Sequence, residues 1–158
     1  MRKFFTKLGR GGSIALVVAA AACAVAVAAL IITVSGNGTI HTRAGYSAPL
    51  VAVGIDGTPS GATCTILRTG NQSFTYDITD AQAGFQCRFN LEFAPAAGNY
   101  GPLTPSLVAS GTMVNQALVS VAPLMPGVTR TLVLEVSAVD PLPTGSTESL
   151  TANVLLSD

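Results

Sequence analysis

The stretch Phe85-Gln86-Cys87-Arg88-Phe89-Asn90-Leu91-Glu92-Phe93 alternates without a break, with five apolar side chains at the odd positions and four polar or charged ones between them. On a helix these apolar positions would scatter around the axis. On a strand, whose side chains repeat every two residues, they form one face. The same period recurs on both sides of this segment. Phe74, Tyr76 and Ile78 alternate with Ser73, Thr75 and Asp77, and Cys64 and Ile66 alternate with Thr63 and Thr65. Leu132, Leu134, Val136 and Ala138 alternate with Thr131, Glu135 and Ser137, and Leu150, Ala152, Val154 and Leu156 repeat the pattern.

Two further runs, Leu50 to Ile55 and Ala117 to Val121, bring the expected count to about seven or eight strands. Turn residues punctuate them at Asp56-Gly57, Gly70-Asn71, Gly98-Asn99, Pro126-Gly127 and Pro143-Thr144-Gly145. Short alternating strands divided by turns, with no helical period between them, predict an all-β, antiparallel β-sandwich of the jelly-roll or immunoglobulin-like kind. The chain contains no tryptophan, so the Cys-Trp-Cys signature of true immunoglobulin domains is missing.

The N-terminus is of a different nature. Arg2, Lys3, Lys7 and Arg10 precede an uninterrupted apolar run from Ile14 to Ile32. A helix of that length nearly spans a hydrocarbon core of about 30 Å, and the basic residues would stay on the cytoplasmic side. The expected organisation is a basic cytoplasmic leader (1–12), one hydrophobic signal or transmembrane helix (13–34), a glycine-rich tether (35–43) and an extracellular sandwich domain (44–158). The run is longer than a secretory h-region, and its Ala-x-Ala triplets lie inside it, with Val34-Ser35-Gly36 a weaker cleavage candidate at a better place. Anchored and cleaved forms are both open. Cys23 follows Ala20-Ala21-Ala22, part of a lipoprotein box, but the apolar run continues past it, as for a cysteine within a membrane helix. In either form the protein is expected outside the cell or at its surface, in contact with the membrane through the helix where that is uncleaved.

Charge narrows the function classes. Charged residues are 10% of the 158, against about 25% in an average domain. From Ser35 onward four arginines face eight carboxylates, a net charge of −4. A nucleic-acid partner is therefore not expected, since binding phosphates requires a basic face. Cys64 and Cys87, the two cysteines of the exported part, are expected to form a disulfide.

Chemistry is sparse. His41, the only histidine, falls in the expected tether, a poor place for a base that a third group must hold in a pocket. Asp77 and Asp80 bracket a short turn, and two carboxylates alone do not make a calcium site of six to eight ligands. The acids Asp56, Glu92, Glu135, Asp140 and Glu148 are spread singly and read as outward-facing. No catalytic residue, metal ligand or cofactor is expected, and the chain is read as a non-enzyme. Asn37-Gly38-Thr39 and Asn71-Gln72-Ser73 match the glycosylation sequon.

The order of features resembles that of TasA/camelysin-like exported proteins: a hydrophobic signal, a short strand, then a jelly-roll domain divided by a Pro-Gly turn. The similar stretch runs from Phe85–Phe93 to Leu124-Met125-Pro126-Gly127-Val128-Thr129-Arg130-Thr131-Leu132. This resemblance implies an extracellular or biofilm-matrix fibre built by self-association. Thr42 to Ile55, with Thr42, Tyr46, Leu50, Val51, Val53 and Ile55, would then be the segment that completes a neighbour's sheet. The same segment pairing within its own domain is equally open. Two other readings stand beside it. A membrane-anchored module would recognise carbohydrate or a surface protein through the Ala94–Pro105 loop, with Asn99 and Tyr100 as its contacts. A pilin-like subunit is suggested by Gly11-Gly12 before the apolar helix, although Val17 stands where prepilins usually carry Glu.

Overall fold

A computed structural model of the chain describes residues 32–98, 100–139 and 147–157. The expected leader, almost all of the expected helix, Cys23, Asn99 and the Pro143-Thr144-Gly145 turn lie outside the described residues. Nine strands occur among the described residues: β1 (Ile32–Thr42), β2 (Leu50–Ile55), β3 (Thr63–Gly70), β4 (Ser73–Ala81), β5 (Gln86–Phe93), β6 (Thr104–Ala109), β7 (Val114–Ser120), β8 (Arg130–Ala138) and β9 (Thr147–Ser157). They form a five-stranded sheet of order β3-β4-β1-β9-β6 and a four-stranded sheet of order β2-β5-β8-β7. The described residues are all-β, and their two sheets are joined as a sandwich.

The alternation in the sequence sets which face each strand buries. Phe85, Cys87, Phe89, Leu91 and Phe93 are all buried, and Arg88 on the opposite face pairs with Glu135 of β8 at 2.8 Å. Phe74, Tyr76 and Ile78 of β4 and Leu150, Ala152, Val154 and Leu156 of β9 supply the other half of the core. Each fully buried Leu or Phe contributes about 1.5–3 kcal/mol relative to exposure. The Met125–Val128 turn closes as Pro126-Gly127 requires: Gly127 has φ 69°, and the Val128 N–H donates to the Met125 carbonyl at 3.2 Å.

Three expectations are corrected here. Residues 35–43, read as a tether, belong almost wholly to β1, which starts within the expected helix segment at Ile32 and lies in the middle of the larger sheet. The domain thus begins well before residue 44. Glycine at Gly36 and Gly38 disguised the strand, because it supplies no apolar signal at two inward positions. Thr42 to Ile55 is not one extended segment. The chain leaves β1 at Thr42, turns where the Tyr46 N–H donates to the Arg43 carbonyl at 3.1 Å, and enters the other sheet as β2, the partner of β5 in its own domain. The C-terminal part of the Ala94–Pro105 loop is the bridge of Leu103 to Leu124 and the start of β6.

The sheets are stapled. Cys64 of β3 and Cys87 of β5 form the expected disulfide, with their Cα atoms 6.0 Å apart. Arg68 of β3 adds a second tie, donating from Nε to the Leu50 carbonyl at 2.8 Å and from Nη2 to Asn71 Oδ1 at 2.5 Å. For a bridge of this sequence separation the chain-entropy relation gives about 3 kcal/mol. The double variant Cys64→Ala/Cys87→Ala should lose about that much in a denaturant titration. An unchanged midpoint and slope would show that the bridge adds nothing to stability.

Candidate functional site

The first described strand lies in the interior of a sheet. β1 pairs antiparallel with β4 through Val34↔Ile78, Gly36↔Tyr76 and Gly38↔Phe74, and parallel with β9 through Gly36↔Leu150, Gly38↔Ala152 and Ile40↔Val154. The other six strand pairings among the described residues are antiparallel. β4 and β9 therefore form the walls of a slot, and β1 fills it.

The slot is shaped by two rings. Val34 and Ile40 are buried at either end of β1's inward row, and between them come only glycines. The Phe74 and Tyr76 rings cover Gly38 and Gly36: a Cβ built on either glycine would overlap the Cζ and Cε atoms of the ring opposite. Here glycine serves close approach of an aromatic ring, not flexibility. The Tyr76 ring is held in place from the other sheet. Its hydroxyl donates to Gln116 Oε1 of β7 at 2.7 Å, and its ring packs against Phe89 of β5 with centroids 5.3 Å apart. Phe74 stacks beside it at 6.4 Å.

On the outer face of the sheet, Asn37 stands between Thr75 of β4 and Thr151 of β9. Thr39 donates to Asn153 of β9 and lies 3.2 Å from His41 Nε2. His41 is thus an exposed residue at the end of a strand. Asp77 faces outward between Ser35 and Thr65, and Asp80 sits in a left-handed conformation (φ 55°) near the end of β4. Among the described residues no three His, Cys, Asp or Glu side chains come together as a metal site.

Glu148 departs from its expected outward-facing role. Its carboxylate accepts from the Thr112 N–H at 2.5 Å, the Thr112 hydroxyl at 3.0 Å and the Met113 N–H at 3.1 Å, closing the sandwich beside β7. Sequence parity along β9 places Glu148 in register with the buried Leu150, and that signal was available.

A second feature joins two expected site residues. Tyr46 of the β1–β2 connection and Tyr100 of the Ala94–Pro105 loop meet edge to face, with centroids 4.7 Å apart. Beside them lies an open groove of about 400 Å³ lined by Tyr46, Ser47, Ala48, Pro49, Asn71 and Gln72. Of the other residues expected to assemble, Thr42 ends β1, and Leu50, Val51, Val53 and Ile55 are on β2, where Leu50 is buried and Val51 and Ile55 are exposed.

No known family, curated protein or solved structure matches this chain.

Burial pushes the Tyr76 phenol well above its ordinary value, and the negative charge of Glu148 adds to the effect. The folded state thus holds this proton more tightly than the unfolded state. Its contribution to stability is complete below the ordinary tyrosine value of about 10 and is lost as pH rises through the folded value. Chemical denaturation from pH 7 to 11 should show stability falling above about pH 10. Tyr76→Phe should cost about 1 kcal/mol at pH 7 and flatten that alkaline decline. A decline of the same steepness in the variant would assign it to other groups.

Proposed function

We propose that the chain is an exported subunit of an extracellular or cell-surface fibre, assembled by strand complementation, with β1 as the donated strand. The observation that carries this reading is the position of β1: the first described strand lies inside a sheet, parallel to the last described one. Removing such a strand leaves two interior edges with unpaired backbone groups, which a strand from a second copy can satisfy equally well. Exchange from copy to copy is head-to-tail, so it propagates as a filament unless the rotation closes a ring.

Several other features support the reading. The link from β1 to β2, Arg43 to Pro49, reaches about 24 Å when extended, more than twice the usual separation of about 10 Å between packed sheets. It therefore has slack to redirect β1 outward. The disulfide suits an oxidising compartment, and the basic leader with its apolar run suits export. The fibre function implied by the TasA/camelysin-like resemblance is kept, but the donated strand moves from Thr42–Ile55 to β1.

The paired tyrosines favour a second reading, a surface-anchored module that binds carbohydrate. Tyr46 provides an aromatic face, and Asn71 and Gln72 provide amide groups along the same groove. The chain has no tryptophan, and two of its three tyrosines, Tyr46 and Tyr100, lie at this groove, so a change in tyrosine emission that is lost in a Tyr46 variant reports on it. Saturable quenching by a soluble polysaccharide that is lost in Tyr46→Ala would support this reading, and emission unchanged across a panel would remove it.

Exchange is tested with two single-cysteine additions on the outer face. Asn37 of β1 and Thr75 of β4 are directly paired, and neither is in the core. Asn37→Cys and Thr75→Cys chains are refolded together at high concentration and the products resolved by mass. A disulfide-linked pair of different chains is the expected result. A bond that forms only when both cysteines are on one chain would show that β1 stays at home.

A further inference from the structure

We infer that the slot between β4 and β9 is selective: it accepts a strand of pattern apolar-x-Gly-x-Gly-x-apolar, so the partner it takes up is β1 of a second copy of this chain. This inference rests on the strand-exchange reading and adds what makes the slot select that strand.

The selection arises from the two rings. The inward row of β1 reads Val34, Gly36, Gly38, Ile40, against Ile78, Tyr76 and Phe74 on the β4 wall. A side chain in either central place would overlap the ring that now occupies that space. The Tyr76 ring has no room to swing away, because its hydroxyl is bonded to Gln116 and its face lies on Phe89. Phe74 is buried against Tyr76 on one side and over Gly38 on the other.

Register is set by the same contacts. A slip of one residue turns the polar Ser35, Asn37 and Thr39 into the core. A slip of two residues preserves the faces but places Val34 opposite Tyr76 or Ile40 opposite Phe74, where glycine is required. Neither slip is tolerated, so a single alignment remains. The other strands among the described residues lack the pattern. β2, β3 and β6 carry Leu50, Cys64 and Pro105 with further side chains at i+2, and none has two alternating glycines. An ordinary amphipathic strand, with a branched side chain at each alternate position, would meet both rings.

The test adds a bump and a hole to the full-chain cysteine assay. A donor carrying Asn37→Cys and Gly38→Val is expected to cross-link to a Thr75→Cys acceptor about tenfold less than the donor without valine. Adding Phe74→Ala to the acceptor should restore cross-linking to the valine donor. A valine donor that links as well as its parent would overturn selectivity while leaving exchange intact. Absence of any interchain link, even with Gly38 present, would overturn exchange and this inference with it.

A second measurement avoids the folding of the donor. A synthetic peptide of residues 32–42 is added while the unaltered full chain refolds, and capture is read by native mass spectrometry. The peptide should be captured, and its Gly36→Val/Gly38→Val version should not. Equal capture of both peptides, or of an unrelated alternating strand, would refute the inference.

Discussion

Two aromatic rings lying flat over two glycines hold this structure together. β4 cannot bury Phe74 and Tyr76 unless the strand beside it leaves their space empty, and β1 does so at Gly36 and Gly38. The consequences reach both sheets. Tyr76 extends from the five-stranded sheet to Gln116 and Phe89 of the four-stranded one, so the glycines of β1 determine how closely the sheets approach at that point. Gln116 in turn donates to the Ser110 and Thr151 carbonyls, which ties β7 back to β9. Close-packed interiors transmit such constraints because neither a void nor an overlap is tolerated.

Other ties join the strands around the slot. The Cys64–Cys87 bridge and the Arg68 hydrogen bonds join β3 to the opposite sheet, and the Glu148 carboxylate joins β9 to the segment before β7. None of them includes β1. Its attachment consists of two strand ladders, the burial of Val34 and Ile40, and the fit of the rings, together with side-chain contacts of Thr39 and Thr42 at its C-terminal end. The disulfide, the Arg68 hydrogen bonds and the Glu148 contacts therefore leave β1 held by its ladders, its packing and these few side-chain contacts.

Much of the fold was legible because burial and period coincide. From Phe85 to Phe93, from Phe74 to Ile78 and from Leu150 to Leu156, each inward position carries an apolar group, and alternation alone assigns the faces. The disulfide was legible from compartment and parity. β6 was not, since Thr104-Pro105-Ser106-Leu107-Val108-Ala109 is a short edge strand whose proline breaks the pattern. β1 was missed for a deeper reason. A strand whose inward residues are glycines has no hydrophobic signature of its own, because its partner's rings supply the apolar volume.

The amino-acid sequence by itself determined that the part after the apolar run is built of strands, which face each strong strand buries, and that Cys64 and Cys87 meet. Those outcomes follow from local period and from side chains whose preferences do not depend on a neighbour. Which strand lies in the middle of the larger sheet, and the meeting of Tyr46 with Tyr100, were decided in three dimensions. Ser35-Gly36-Asn37-Gly38-Thr39-Ile40 reads as part of a tether until Phe74 and Tyr76 are placed across it. The information for that strand resides in its partner, forty residues away, and only packing brings the two together.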